Sequence, residues 1–210
     1  MKRIARLAAA LVCLWQISAA AADGQMDYLP IENRIQDEWT QYVYSYPQIT
    51  RGESKVTEQR LNGFLREYSQ STALQARLTA KKESRRLLGK TTFEVMRNDA
   101  SYFSVVFTSQ LDGRQWQKGF VFLPQNGSQL RLEDLFVTPE FSAVLSQATA
   151  AWRQSNAVAD GFPSVQDFYL TADCLILLFS PPDGGDTLSC SIPLDQIASS
   201  LREDLIAPVS

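Results

Sequence analysis

The stretch from Phe168 to Leu201 constrains the fold most. Phe168-Tyr169-Leu170-Thr171 precedes the apolar run Leu175-Ile176-Leu177-Leu178-Phe179. Pro181-Pro182-Asp183-Gly184-Gly185-Asp186 then separates that run from Ser191-Ile192-Pro193-Leu194. Asp-Gly-Gly supplies the positive-φ residues that a tight reversal needs. Leu194, Ile197, Ala198 and Leu201 follow at i, i+3, i+4 and i+7, a single helical stripe. The order expected is strand, hairpin turn, strand and a short amphipathic helix.

The opposite end of the chain carries an address. Lys2, Arg3 and Arg6 precede an apolar segment from Leu7 to Ile17, and the small residues Ser18 to Ala22 follow. This is the layout of a secretory signal peptide cleaved near Ala22. Its apolar core is shorter than the roughly 20 residues a membrane-spanning helix needs. Residues 1–22 are therefore expected to be removed, leaving a periplasmic or secreted protein without a transmembrane anchor. Without Lys2, Arg3 and Arg6 the chain keeps 17 cations against 23 acids, a net charge of −6. That balance argues against nucleic acid, which needs a basic footprint, and suits a cationic protein partner.

Cys174 and Cys190 remain after cleavage, on the two strands that flank the Asp183-Gly184-Gly185 turn. An oxidising compartment and this placement predict a disulfide between them.

Between the two ends, residues 23–36 are polar and read as a loose leader. Trp39, Tyr42, Val43, Tyr44 and Tyr46 mark a strand that Pro47 ends or offsets. Ser54 is a helix N-cap, and Leu61, Phe64, Leu65 and Tyr68 form the apolar stripe of the helix behind it. Arg77, Lys81 and Arg85, with Lys82, Arg86 and Lys90 beside them, would form a cationic ridge if residues 73–88 are helical. Strands are expected around Phe93–Met96, Tyr102–Phe107 and Phe120–Leu123, with Asp112-Gly113 as a hairpin turn. Asn126-Gly127 marks another turn. Thr138 and Pro139 suit a cap and first position of a helix whose apolar face is Phe141, Val144, Leu145, Ala148 and Trp152. Antiparallel strands with interspersed helices predict an α+β fold, a curved antiparallel sheet with helices packed on one face.

Three of these elements resemble the extracytoplasmic domain of RsiV-type anti-sigma factors, a domain of unknown function also attached to some peptidoglycan deacetylases. They are Tyr46-Pro47-Gln48-Ile49 before a helix bearing Leu61-Asn62, the element Leu132-Glu133-Asp134-Leu135-Phe136, and the C-terminal ribbon with its final helix. The resemblance covers most of the chain, with halves at 37–110 and 111–206. It implies an α+β binding module, because in the anti-sigma factors this domain binds lysozyme. The hairpin Leu111-Asp112-Gly113-Arg114-Gln115-Trp116 lacks the histidine that many members carry there.

The chain has no histidine at all. That removes the commonest general base and zinc ligand and the standard serine and cysteine triads. Nor can the histidine-dependent deacetylase chemistry be carried over, so no cofactor, metal or catalytic residue is expected. Glu133-Asp134 and Asp183 with Asp186 are the closest carboxylate pairs. Acids before a helix and acids in a turn have ordinary structural reasons to be there. Trp116, Asp183 and Asp186 are the candidate partner contacts. The reading is an exported, non-catalytic binding protein for a lysozyme-like muramidase or peptidoglycan. An envelope hydrolase using carboxylates only, and a periplasmic structural or assembly factor, are the alternatives.

Overall fold

The computed structural model describes residues 25–137, 141–155, 167–180 and 185–203. The first sheet contains β1 (Asp27–Gln36), β2 (Thr40–Arg51), β3 (Leu87–Asn98), β4 (Phe103–Leu111) and β5 (Arg114–Phe122), in the spatial order of their numbers. Helix α1 (Lys55–Glu83) joins β2 to β3, which run parallel; the other neighbours are antiparallel. A second, three-stranded antiparallel sheet holds β6 (Asp167–Leu170), β7 (Cys174–Phe179) and β8 (Leu188–Pro193). Two short helices, α2 (Phe141–Ala148) and α3 (Ala150–Ser155), precede it. The fold is α+β.

Helix α1 starts where the sequence says it should. The Ser54 side chain accepts the Thr57 N–H at 3.1 Å. At the other end Ser84 adopts a left-handed conformation, φ 49°, and its N–H reaches the Ala80 and Lys81 carbonyls. The buried stripe changes along the helix from Leu61 and Leu65 to Ser69, Ala73, Ala76 and Ala80. Small residues in the second half let the helix axis lie close to the sheet. The β4–β5 hairpin turns on Asp112 and Gly113, both at positive φ (55° and 85°), as a two-residue turn of that sequence requires.

Two cores meet at β5. Phe120 and Phe122 point toward α1, where they pack with Phe64, Tyr68 and Phe107. Val121 between them points the other way, into a core shared with Phe168, Leu170, Leu175, Leu177 and Ile192 of the second sheet. A strand buried on both faces reads as an unbroken apolar run, and Phe-Val-Phe-Leu is one. The sheets approach so closely that a Cβ on Gly119 would lie 2.2 Å from the Phe168 carbonyl oxygen. The Ser104 hydroxyl accepts the Leu170 N–H at 2.8 Å across the same junction.

Several expectations are corrected. Residues 27–36 of the supposed leader form β1, held to β2 along its length. Pro47 does not end β2, because it sits opposite Pro30 in a pair where neither N–H is needed. The α1 helix stops at Glu83, so Arg85 and Arg86 leave the helix and Lys90 lies on β3. The cationic ridge is thereby broken up: Arg77 pairs with Asp37 at 2.6 Å, and Arg85 pairs with Glu83 and Asp112. The final stripe is a 3-10 turn, Leu194–Ser200, rather than an α-helix, although Leu194, Ile197 and Leu201 are buried as expected. Thr138, Pro139 and the Pro181–Gly184 turn lie outside the described residues.

The predicted disulfide is also absent. Cys174 stands opposite Pro193, and Cys190 stands opposite Leu177. The two cysteines are thus offset by three positions, about 10 Å along the ribbon at 3.3 Å per residue, and an odd offset puts their side chains on opposite faces. A bridge requires Cα atoms within roughly 7 Å. Both thiols are free, with Cys190 buried in the second core.

Candidate functional site

β5 is an edge strand of the first sheet, and its outer edge is closed piece by piece. The Gln115 N–H donates to the Asp186 carboxylate at 2.9 Å, and the Gln117 N–H donates to the Thr187 hydroxyl at 3.0 Å. Further along, Leu130 N–H donates to the Val121 carbonyl at 2.8 Å. Residues 115, 117 and 121 therefore turn their backbone groups outward, and the period of two gives Gly119 the same orientation. Between the braces lies a recess of about 290 Å³, with Gly119 and Phe120 as its floor. Gln129–Glu133 form one wall and Asp167–Phe168 the other.

The polar groups of the recess come from separate elements. Asp167, at the first position of β6, lies 3.4 Å from Lys118 of β5. Burial raises its carboxyl above the ordinary aspartate value, and the Lys118 ammonium only partly offsets that. The same ammonium sits 5.8 Å from the centre of the Phe120 ring. Nearby Tyr68 is pushed up to about 12, chiefly by burial, with the Asp167 charge adding to it. On the other wall Arg131 pairs with Glu133 at 2.8 Å. Asp134 accepts the Arg131 N–H at 2.8 Å and so caps the 3-10 turn Leu132–Leu135, as an acid at that place should. Asp134 is held below the ordinary value, first by that backbone bond.

Of the candidates read from the sequence, Asp186 and Trp116 fall beside this recess rather than in it. Asp186 is a brace, its carboxylate committed to the Gln115 N–H. Trp116 is half-buried on β5 opposite Ser109, on the strand face that carries Lys118 and Phe120. Asp183 lies outside the described residues. In the sequence Glu133 stands out only as half of an adjacent pair with Asp134, whereas the recess is lined by Glu133 on one wall and Asp167 on the other. Nothing marked Asp167, a single acid before an aromatic strand. It becomes distinctive only once β6 is laid against β5. Among the described residues no helix is long and apolar enough to cross a membrane.

No protein-family model matches this sequence, and no curated protein matches it. Solved structures do match. A DUF3298 family protein from Pseudomonas aeruginosa superposes with a TM-score of 0.61 at 14% identity, over 86% of this chain and 95% of that one. A member of the same family from Bacteroides fragilis gives 0.59 at 11% identity, over 87% and 95%. The fold is therefore similar to that of DUF3298 proteins, a domain of unknown function.

Proposed function

We propose that this chain is an exported, non-catalytic binding protein of the cell envelope with an RsiV-type domain, recognising a lysozyme-like muramidase or peptidoglycan. The observation that carries the reading is the recess beside β5, whose two walls each bring a carboxylate to a gap in an otherwise braced strand edge. Each carboxylate already has an internal cation, Lys118 for Asp167 and Arg131 for Glu133. Such pairs are suited to exchanging partners with a cationic surface, and the net charge of −6 expected after signal cleavage steers such a partner in. Trp116 on the adjacent strand face supplies an aromatic anchor.

The test is calorimetric titration of the purified mature protein with lysozyme and, separately, with soluble peptidoglycan fragments. Binding at micromolar concentration that Glu133→Lys weakens supports the proposal. No heat with either ligand, together with unchanged lysozyme activity, defeats it.

One observation favours the carboxylate-hydrolase reading as an alternative. Glu133 and Asp167 line one recess, and burial raises Asp167 in the direction a general acid needs. Release of reducing ends from peptidoglycan by the wild type, abolished in Asp167→Asn, would establish it. A wild type without turnover would remove it.

A further inference from the structure

The two edges of the first sheet are treated differently. The β5 edge is braced by Asp186, Thr187 and Leu130, whereas β1 is the last strand on its side and is exposed along most of its length. The direction of the β1 backbone follows from what β2 does. The Ser45 carbonyl accepts the Ser69 hydroxyl at 3.1 Å. The Ile49 N–H and C=O are both taken by the Asn62 side chain. Ser45 and Ile49 thus turn their backbone groups away from β1, as Pro47 between them must by the same alternation. Their partners across the ladder are Glu32, Tyr28 and Pro30. In an antiparallel pair such residues face outward on both strands. Glu32, and with period two Arg34, therefore offer N–H and C=O to the open side.

We infer that β1 is a self-association edge, on which a second copy of this chain pairs its own β1 antiparallel about a two-fold axis at Asn33. In that register Glu32 stands opposite Arg34 of the second copy, and Arg34 opposite its Glu32. Ile31 stands opposite Ile35 of the second copy, and both isoleucines are half-buried at the margin of the first core. Neither Glu32 nor Arg34 has an ion pair among the described residues, so both charges are available. The charges also select the register. An axis at residue 32 would face Glu32 with Glu32, and an axis at residue 34 would face Arg34 with Arg34. Like charges directly opposite destabilise a strand pair. Pro30 lacks an N–H and limits the ladder on that side, a common device on edge strands that restricts indefinite pairing. The two sheets become one continuous sheet across the axis, with a closed two-fold symmetry. This inference is independent of the ligand proposed for the recess.

The test is sedimentation velocity of the purified chain from 1 to about 200 µM, a range that brackets association through two closely spaced ladder pairs and two ion pairs. A concentration-dependent dimer is expected for the wild type. Glu32→Arg and Arg34→Glu alone each replace two attractive pairs by two repulsive ones, and should raise the dimer dissociation constant by roughly tenfold or more. The double variant carrying both substitutions exchanges the two charges, so opposite signs again face each other across the axis and the dimer should recover. A mixture of the two single variants should form heterodimers more tightly than either forms homodimers. Both side chains are exposed, so unchanged thermal melts of the diluted variants control for folding. A wild type that stays monomeric throughout overturns the inference. So does a dimer that ignores all three variants, or a double variant no tighter than the singles.

Discussion

Asn62 offers a direct test of how α1 is held to the sheet. At Ile49, β2 has run past its pairing with β3, which ends at Tyr44 opposite Thr91, so no strand serves the Ile49 backbone on that side. The Asn62 amide replaces the missing strand: its oxygen accepts the Ile49 N–H at 2.6 Å, and its nitrogen donates to the Ile49 carbonyl at 2.9 Å. Ile49 is 2% exposed, so water cannot reach these groups freely once the amide is gone. Leaving a buried backbone donor or acceptor unpaired costs about 1–3 kcal/mol. Two such groups, less about 0.5 kcal/mol of helix propensity gained by alanine, put Asn62→Ala at about 1.5–5.5 kcal/mol of lost stability. Urea denaturation followed by tryptophan fluorescence measures it. Asn62→Asp separates the two bonds. Its carboxylate still accepts the N–H but faces the Ile49 carbonyl with negative charge, so its folded pKa is raised. The stability that raised pKa represents is present below the unfolded value and lost as pH rises through the folded one. The aspartate variant should therefore approach wild type in acid and fall away at neutral pH. An alanine variant within about 0.5 kcal/mol of wild type would refute the reasoning, because the bonds would then contribute almost nothing net.

Gly119→Ala should destabilise by about 1–3 kcal/mol, since its Cβ meets the Phe168 backbone rather than a flexible side chain; chemical denaturation reports it, and wild-type stability would mean the sheets separate without cost. Thiol labelling of the native protein under oxidising conditions should modify Cys174 first and Cys190 only on unfolding, whereas two unreactive cysteines recovered by reductant would restore the disulfide. Asp167→Asn should stabilise the protein at pH 7, because burial disfavours the carboxylate there. With its folded pKa raised, Asp167 favours the native state below the unfolded pKa and loses that contribution as pH rises through the folded one. The gain from asparagine should therefore vanish in acid, and a pH-independent difference in urea midpoint would show that ionisation is not its cause.

The parts of the fold that depend on local chemistry were legible in the sequence. Ser54 caps its helix, Asp112-Gly113 turns its hairpin, and the continuous apolar run at Phe120 marks a strand covered on both faces. What could not be read depends on register and on partners far along the chain. β1 looks polar because it is an edge strand with one modestly covered face, and such a strand lacks the alternation that a half-buried one displays. The cysteines flank their turn at unequal distances, and a displacement of three positions converts neighbours into residues on opposite faces. The recess arises for the same reason. Asp167 and Glu133 are 34 positions apart and line one recess where the Phe168 backbone packs against Gly119 of β5. In the sequence that glycine sits between Lys118 and Phe120, where a missing side chain reads as weak strand propensity rather than as the contact point of two layers. A glycine inside an apolar strand is thus a sign that another backbone passes there. The residues on either side of that passage, here Lys118 and the Asp167 it faces, are the place to look for chemistry that spacing alone cannot reveal.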